Sequence, residues 1–112
     1  MKNYYKGIYA EKLTALLLIL KGYKILETRF KTKIGEIDLI CSKNKQIIFV
    51  EVKSRKDKQV FFDVINRKQQ TRIKNAATLY LKKHRMSSHD VRFDVIFVSF
   101  PSYWKHIENA FY

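Results

Sequence analysis

Glycine and proline are almost missing from this chain. Three Gly and one Pro in 112 residues leave little room for long irregular loops. No Ser/Gly-rich or Pro-rich stretch marks a linker, and no internal repeat is present, so one domain spanning residues 1–112 is expected. The single cysteine, Cys41, excludes an internal disulfide, and its expected place is a small core position. Long apolar runs are missing too. The longest, Ala15 to Leu20, falls far short of the roughly 20 residues that cross a bilayer, so no membrane partner is expected. The opening Met1-Lys2-Asn3-Tyr4-Tyr5-Lys6 has neither the apolar core nor the cleavage site of a signal peptide, which makes the cytoplasm the expected location.

Acidic residues are the last scarcity, with ten Asp and Glu against 23 Lys and Arg and a net charge of +13. Such an excess favours a polyanionic partner, and nucleic acid is the commonest one for a basic globular domain. A disordered basic tail is excluded by content: 46% of residues are apolar and 14% aromatic, enough to cover a sheet.

Helical spacing of Ile8, Leu13, Leu16, Leu17 and Leu20, with Gly22 in a C′ position, predicts a helix from Tyr4 to Lys21. Tyr23 to Phe30 alternates loosely and suits a strand. Ile34 to Cys41 and Gln46 to Lys53 are β-rich runs around a polar stretch, Ser42 to Lys45, and predict a hairpin. The charged segment around Ser54 to Gln59 is expected to be mobile. Ile73, Ala76, Ala77, Tyr80 and Leu81 form a second helical stripe whose opposite face carries Lys68, Arg72, Lys74, Lys82 and Lys83. Val91 to Phe100 reads as a further strand ended by Pro101, while Trp104 to Tyr112 carries no pattern long enough to assign. The order predicts an α/β domain with a mixed sheet flanked by helices.

Few as the acids are, Glu36 and Asp38 fall in one strand of the hairpin and Glu51 in the next, where strands usually exclude them. A turn centred on Asn44-Lys45 sets Asp38 opposite Glu51 and Glu36 opposite Lys53. Opposed carboxylates destabilise a sheet unless solvent or a cation lies between them. Hard oxygen donors with no His or Cys cluster suit Mg²⁺ or Mn²⁺ rather than zinc. A metal held by Asp38 and Glu51 would activate water against a phosphodiester, with Lys53 orienting that water or stabilising the developing charge. The same residues also suit a solvated strand face whose carboxylates pair with Lys53 and neighbouring lysines. Arg55, Lys56, Lys58, Arg67, Lys68 and Arg72 flank the site and would track a nucleic-acid backbone. His84, His89 and His106 show no ligand spacing and are expected at the surface, and Asp94 is expected to be structural.

Gly35-Glu36-Ile37-Asp38-Leu39-Ile40, followed by Phe49-Val50-Glu51-Val52-Lys53-Ser54-Arg55, closely resembles the signature of the YraN-type endonuclease-like proteins. These are grouped with archaeal Holliday junction resolvases in the PD-(D/E)XK nuclease superfamily. Gly7 to Glu11, Gly22 to Leu26, Lys68-Gln69 and Arg92 to Val95 extend the resemblance over nearly the whole chain. It implies a restriction-endonuclease-like fold and a metal-dependent DNA endonuclease, with Asp38 and Glu51 as ligands and Lys53 as the catalytic lysine. It also implies the Val52 carbonyl and Glu11 as further ligands and Gln69 as a polar residue lining the site. A homodimer is expected, because resolvase relatives cut symmetric junctions with two sites. Two features depart from the pattern: no Pro precedes Asp38, and Thr28-Arg29 stands where relatives commonly show Asn. Two other readings compete with an enzyme, namely a basic nucleic-acid-binding module that keeps the fold without turnover and a ribosome-associated structural protein.

Overall fold

Asn44 and Lys45 both adopt the left-handed region, with φ of 52° and 66°, and Lys43 pairs with Gln46 across them. This is the two-residue turn whose twist matches that of antiparallel strands, and it fixes the register of everything beyond it. The computed structural model describes residues 3–54, 65–99 and 103–111. They form α1 (Asn3–Leu20), β1 (Lys24–Lys31), β2 (Glu36–Lys43), β3 (Gln46–Ser54), α2 (Arg67–Lys83), β4 (Asp90–Ser99) and β5 (Tyr103–Phe111). The segment expected to be mobile lies outside the described residues beyond Ser54, as do Arg55, Lys56 and Lys58.

The five strands form one mixed sheet in the order β1-β2-β3-β4-β5. β2 is antiparallel to both β1 and β3, β3 and β4 run parallel, and β5 returns antiparallel to β4. Parallel neighbours need a crossover, and α2 lies in the chain between β3 and β4. β3 is central, and Ile47, Ile48, Phe49 and Val50 are all buried, which explains a continuous apolar run instead of an alternating one. Its Ile47 and Phe49 pack with Ile73, Ala76, Ala77 and Tyr80 of α2. Its Ile48 and Val50 pack with Ala10 and Leu18 of α1. Tyr80 meets Phe30 and Phe49 edge-on, with ring centroids 5.3 and 6.0 Å apart, a favourable quadrupolar arrangement.

The structure departs from, or adds to, the sequence reading at four points. Helix α1 turns Ala10, Thr14 and Leu18 inward, while Leu16 and Leu20 of the expected stripe are 53% and 74% exposed. Residues 15–20 are apolar on every side, so periodicity does not single out a face, and small residues let the helix approach the sheet. In β1, a register shift between Ile25 and Glu27 breaks the alternation. The unassigned C-terminal stretch forms β5, an edge strand whose pairing also shifts between Phe93 and Val95.

His106 is the fourth, and corrects the expectation of a surface residue. Its side chain is 5% exposed rather than at the surface, and Nε2 lies 2.7 Å from Asp94 Oδ2. Asp94 is fully buried. Its carboxylate accepts Arg92 Nε and Nη2, each at 2.9 Å, and the Asn109 backbone N–H at 2.9 Å. Burial alone would raise the Asp94 pKa, yet the hydrogen bonds from His106, Arg92 and Asn109 outweigh it and the carboxyl sits below its usual range. The network clamps β5 where the ladder slips, which bears out a structural role for Asp94. Asp94→Ala is expected to cost about 3 kcal/mol by leaving Arg92 without its buried counter-charge and the His106 ring without its hydrogen-bond partner, as a shift of the urea unfolding midpoint.

Candidate active site

The β2–β3 ladder ends at Leu39↔Val50, and the next opposed positions are Asp38 and Glu51. Beyond that point β2 no longer supplies main-chain partners to β3. The Asp38 side chain takes over: its Oδ2 accepts the Val52 N–H at 2.7 Å, which fixes the carboxylate at the strand end. Glu51 continues the α2-facing side of β3 after Ile47 and Phe49. Its pKa is raised from the ordinary 4.5 to about 9, first by burial and then by its hydrogen bond to Asp38 and the Asp38 charge, against the opposing pull of Lys53 and Gln69. A carboxyl raised this far keeps its own proton at neutral pH unless a cation takes that place.

Gln69 joins Glu51 to Lys53. Its Nε2 donates to Glu51 Oε2 at 3.1 Å, and its Oε1 accepts from Lys53 Nζ at 3.5 Å. The first turn of α2 places it there, with Asn66 as the N-cap, whose Oδ1 accepts the Gln69 N–H at 2.8 Å. Asn66 was not singled out from the sequence, although Asn three residues before Gln is a capping-box spacing that would have marked it.

Residues 32–35 form the opposite wall. Thr32 Oγ1 accepts the N–H groups of Ile34 and Gly35 and donates to the Gly35 carbonyl at 2.8 Å. Gly35 lies directly on α2: a Cβ there would sit 2.4 Å from the Arg72 carbonyl oxygen, so only glycine permits this approach. Between the walls is a cleft of about 570 Å³ lined by Asp38, Glu51, Gln69, Lys68 and Arg72, among others. Arg67 is exposed one position before Lys68 and is not among the lining residues. Arg55 and Lys56 fall outside the described residues.

Glu11 reaches the same end of the sheet from α1. One of its carboxylate oxygens is buried without a hydrogen-bond partner, and its pKa is raised to about 7, chiefly by burial and next by the charge of Asp38. It lines a separate, largely apolar groove of about 280 Å³ between α1 and β1. Among the described residues no group of three or more His, Cys, Asp or Glu converges closely enough to hold a metal ion. Asp38 and Glu51 therefore form a two-carboxylate site. That donor set fits a hard cation such as Mg²⁺, which dehydrates reluctantly and keeps several waters. The unpartnered Glu11 oxygen and the raised Glu51 carboxyl beside Asp38 are the features such a charge would relieve.

A carboxyl whose folded-state pKa exceeds its unfolded value weakens the fold as pH climbs between the two, here from 4.5 toward 9. Glu51→Gln removes that penalty and retains a donor toward Asp38. In metal-free buffer the variant is expected to melt about 4 °C higher than wild type at pH 8, with the difference vanishing near pH 4.5, as read by thermal circular dichroism at both pH values.

Residues 10–98 match the family described as "Uncharacterised protein family UPF0102", a span that includes every described site residue. The UPF0102 protein of Mesorhizobium japonicum is 40% identical over 99% of this chain and 90% of its own length. That of Clostridioides difficile is 40% identical over 99% of this chain and 100% of its own length. That of Bartonella tribocorum is 41% identical over 98% of this chain and 85% of its own.

Proposed function

We propose that this chain, which belongs to the UPF0102 family, is a metal-dependent endonuclease of the PD-(D/E)XK kind that hydrolyses phosphodiester bonds in DNA. The observation that carries this reading is the opposition of Asp38 and Glu51 within a cleft that also presents Lys68 and Arg72. Five strands flanked by two helices are compatible with the restriction-endonuclease-like fold that the signature residues imply.

In this reading Asp38, held by the Val52 N–H, and Glu51, held by Gln69, are the metal ligands, with the Val52 carbonyl as a further donor. Bound Mg²⁺ or Mn²⁺ would supply Lewis acidity and lower the pKa of an attacking water. Lys53 orients that water or meets negative charge as it develops on the phosphate, and Gln69 holds the Lys53 ammonium at the working distance from Glu51. Lys68 and Arg72 draw the backbone into the cleft. Water adds to phosphorus, the bond to the leaving oxygen breaks, and that oxygen takes up a proton. Branched repair or recombination intermediates are the proposed substrates, cut in the cytoplasm by two copies of the chain where the junction is symmetric.

A second reading, a basic nucleic-acid-binding module without turnover, is favoured by one observation: the described residues hold no complete three-ligand cluster. Cleavage of labelled single-stranded, duplex, flapped and four-way DNA with Mg²⁺, Mn²⁺ or EDTA separates the two. The nuclease reading expects metal-dependent cutting that Asp38→Ala abolishes and Lys53→Ala reduces at least about 100-fold. Binding by wild type with no cutting under any metal would leave the module.

A further inference from the structure

Helix α2 carries cations and no acid. It contains Arg67, Lys68, Arg72, Lys74, Lys82 and Lys83 and neither Asp nor Glu, so it holds +6 of the chain's net +13. Helix stability does not favour that choice at its start. Arg67 and Lys68 stand in the first turn, where the macrodipole disfavours positive charge, and Lys68 and Arg72 are like charges four residues apart. Lys82 and Lys83 occupy the last turn, which the macrodipole favours, and that role is compatible with a second one.

The outward side of α2 forms one line. Lys68, Arg72, Asn75, Leu79 and Lys82 follow one another at steps of three or four residues, and all are exposed, on the side turned away from the buried Ile73, Ala77 and Tyr80. The line starts in the cleft, which Lys68 and Arg72 help to form. At about 1.5 Å per residue, Lys82 lies roughly 21 Å along the helix axis from Lys68. Between the charged ends the side chains are short, and Thr71 and Thr78 donate their hydroxyls back to the carbonyls of Arg67 and Lys74, each at 3.0 Å. No aromatic ring lies on the line, because Tyr80, the one aromatic residue of α2, is buried.

We propose that the outward line of α2 binds the phosphate backbone of duplex nucleic acid, with Lys82 and Lys83 as an anchor about six base pairs from the cleft at roughly 3.4 Å per base pair. A rigid helix holds these point charges at a fixed spacing, which suits the regular phosphates of a duplex. A single strand is held largely by stacking its bases on aromatic rings, and this line has none. A lipid surface would call for a broad apolar face, whereas Leu79, 43% exposed, is the single large apolar side chain on the line. The claim that this duplex arm leads to a cleavage site rests on the nuclease reading; the phosphate contact at Lys82 and Lys83 does not.

The informative variant combines Lys82→Gln with Lys83→Gln, and Lys12→Gln serves as control, since Lys12 is exposed on α1, which packs on the other face of the sheet. Binding of a labelled duplex of about 16 base pairs, long enough to reach from cleft to anchor, is measured in EDTA across a salt series beside one of its strands alone. A thermal melt of each variant confirms folding. On the duplex, the slope of log K against log salt is expected to fall by about 1.8 in the double variant, two phosphate contacts, with the single-strand slope and Lys12→Gln unchanged. An unchanged duplex slope in the double variant, an equal drop on the single strand, a matching drop per charge in Lys12→Gln, or no duplex binding by wild type would overturn the proposal. Metal-dependent cutting alongside an unchanged slope would overturn the α2 surface and keep the nuclease reading. The reduced slope in a protein that never cuts with Mg²⁺ or Mn²⁺ would keep the α2 surface and overturn the nuclease reading alone.

Discussion

Two carboxyl groups face each other where the β2–β3 ladder stops, and the charge balance of the site follows from that opposition. Strand pairing brings Asp38 and Glu51 together, and burial denies Glu51 the water that would screen its charge. Glu51 therefore favours its protonated form unless a cation lies between the two groups. Glu11, its own pKa raised by burial and then by the Asp38 charge, extends the same electrostatic demand toward α1. On the other side Gln69 donates directly to Glu51 and accepts in turn from Lys53.

The molecule also contains the opposite solution for a buried carboxylate. Asp94 receives both arms of a guanidinium, an imidazole and a backbone amide, and its pKa falls below the usual range. No further charge is needed there, and the network is spent on holding β5. Glu51 and Glu11 are raised instead of lowered, and one Glu11 oxygen has no partner at all. A carboxyl raised by burial at a cleft, beside one fully satisfied in the same small core, marks where chemistry is to be sought.

The sequence made the central hairpin legible because acids interrupt otherwise apolar strands and a polar pair marks the turn. Placing the turn at Asn44-Lys45 was enough to oppose Asp38 and Glu51, and the observed Leu39↔Val50 pairing continues into that register. Helix α2 was legible from Ile73, Ala76, Ala77 and Tyr80, all of which are buried. Other features were hidden for physical reasons. The inward face of α1 is obscured by leucines on all sides, and β5 is obscured by a bulge and by Asn109 at φ of 52°. His106 owes its burial to a partner twelve residues earlier in the chain. Gln69 was found through family resemblance, and the close seat of Gly35 on Arg72 is a tertiary contact with no local signature. Nothing in the sequence marks Arg29 as left-handed, with φ of 53°.

The most direct test of a metal site at Asp38 and Glu51 is anomalous scattering from crystals soaked in MnCl₂. A manganese peak within about 2.4 Å of oxygens from both carboxylates, absent from crystals of Glu51→Gln, is the predicted result. Crystals that bind no manganese there, or that carry it only at other surface acids, would contradict the account.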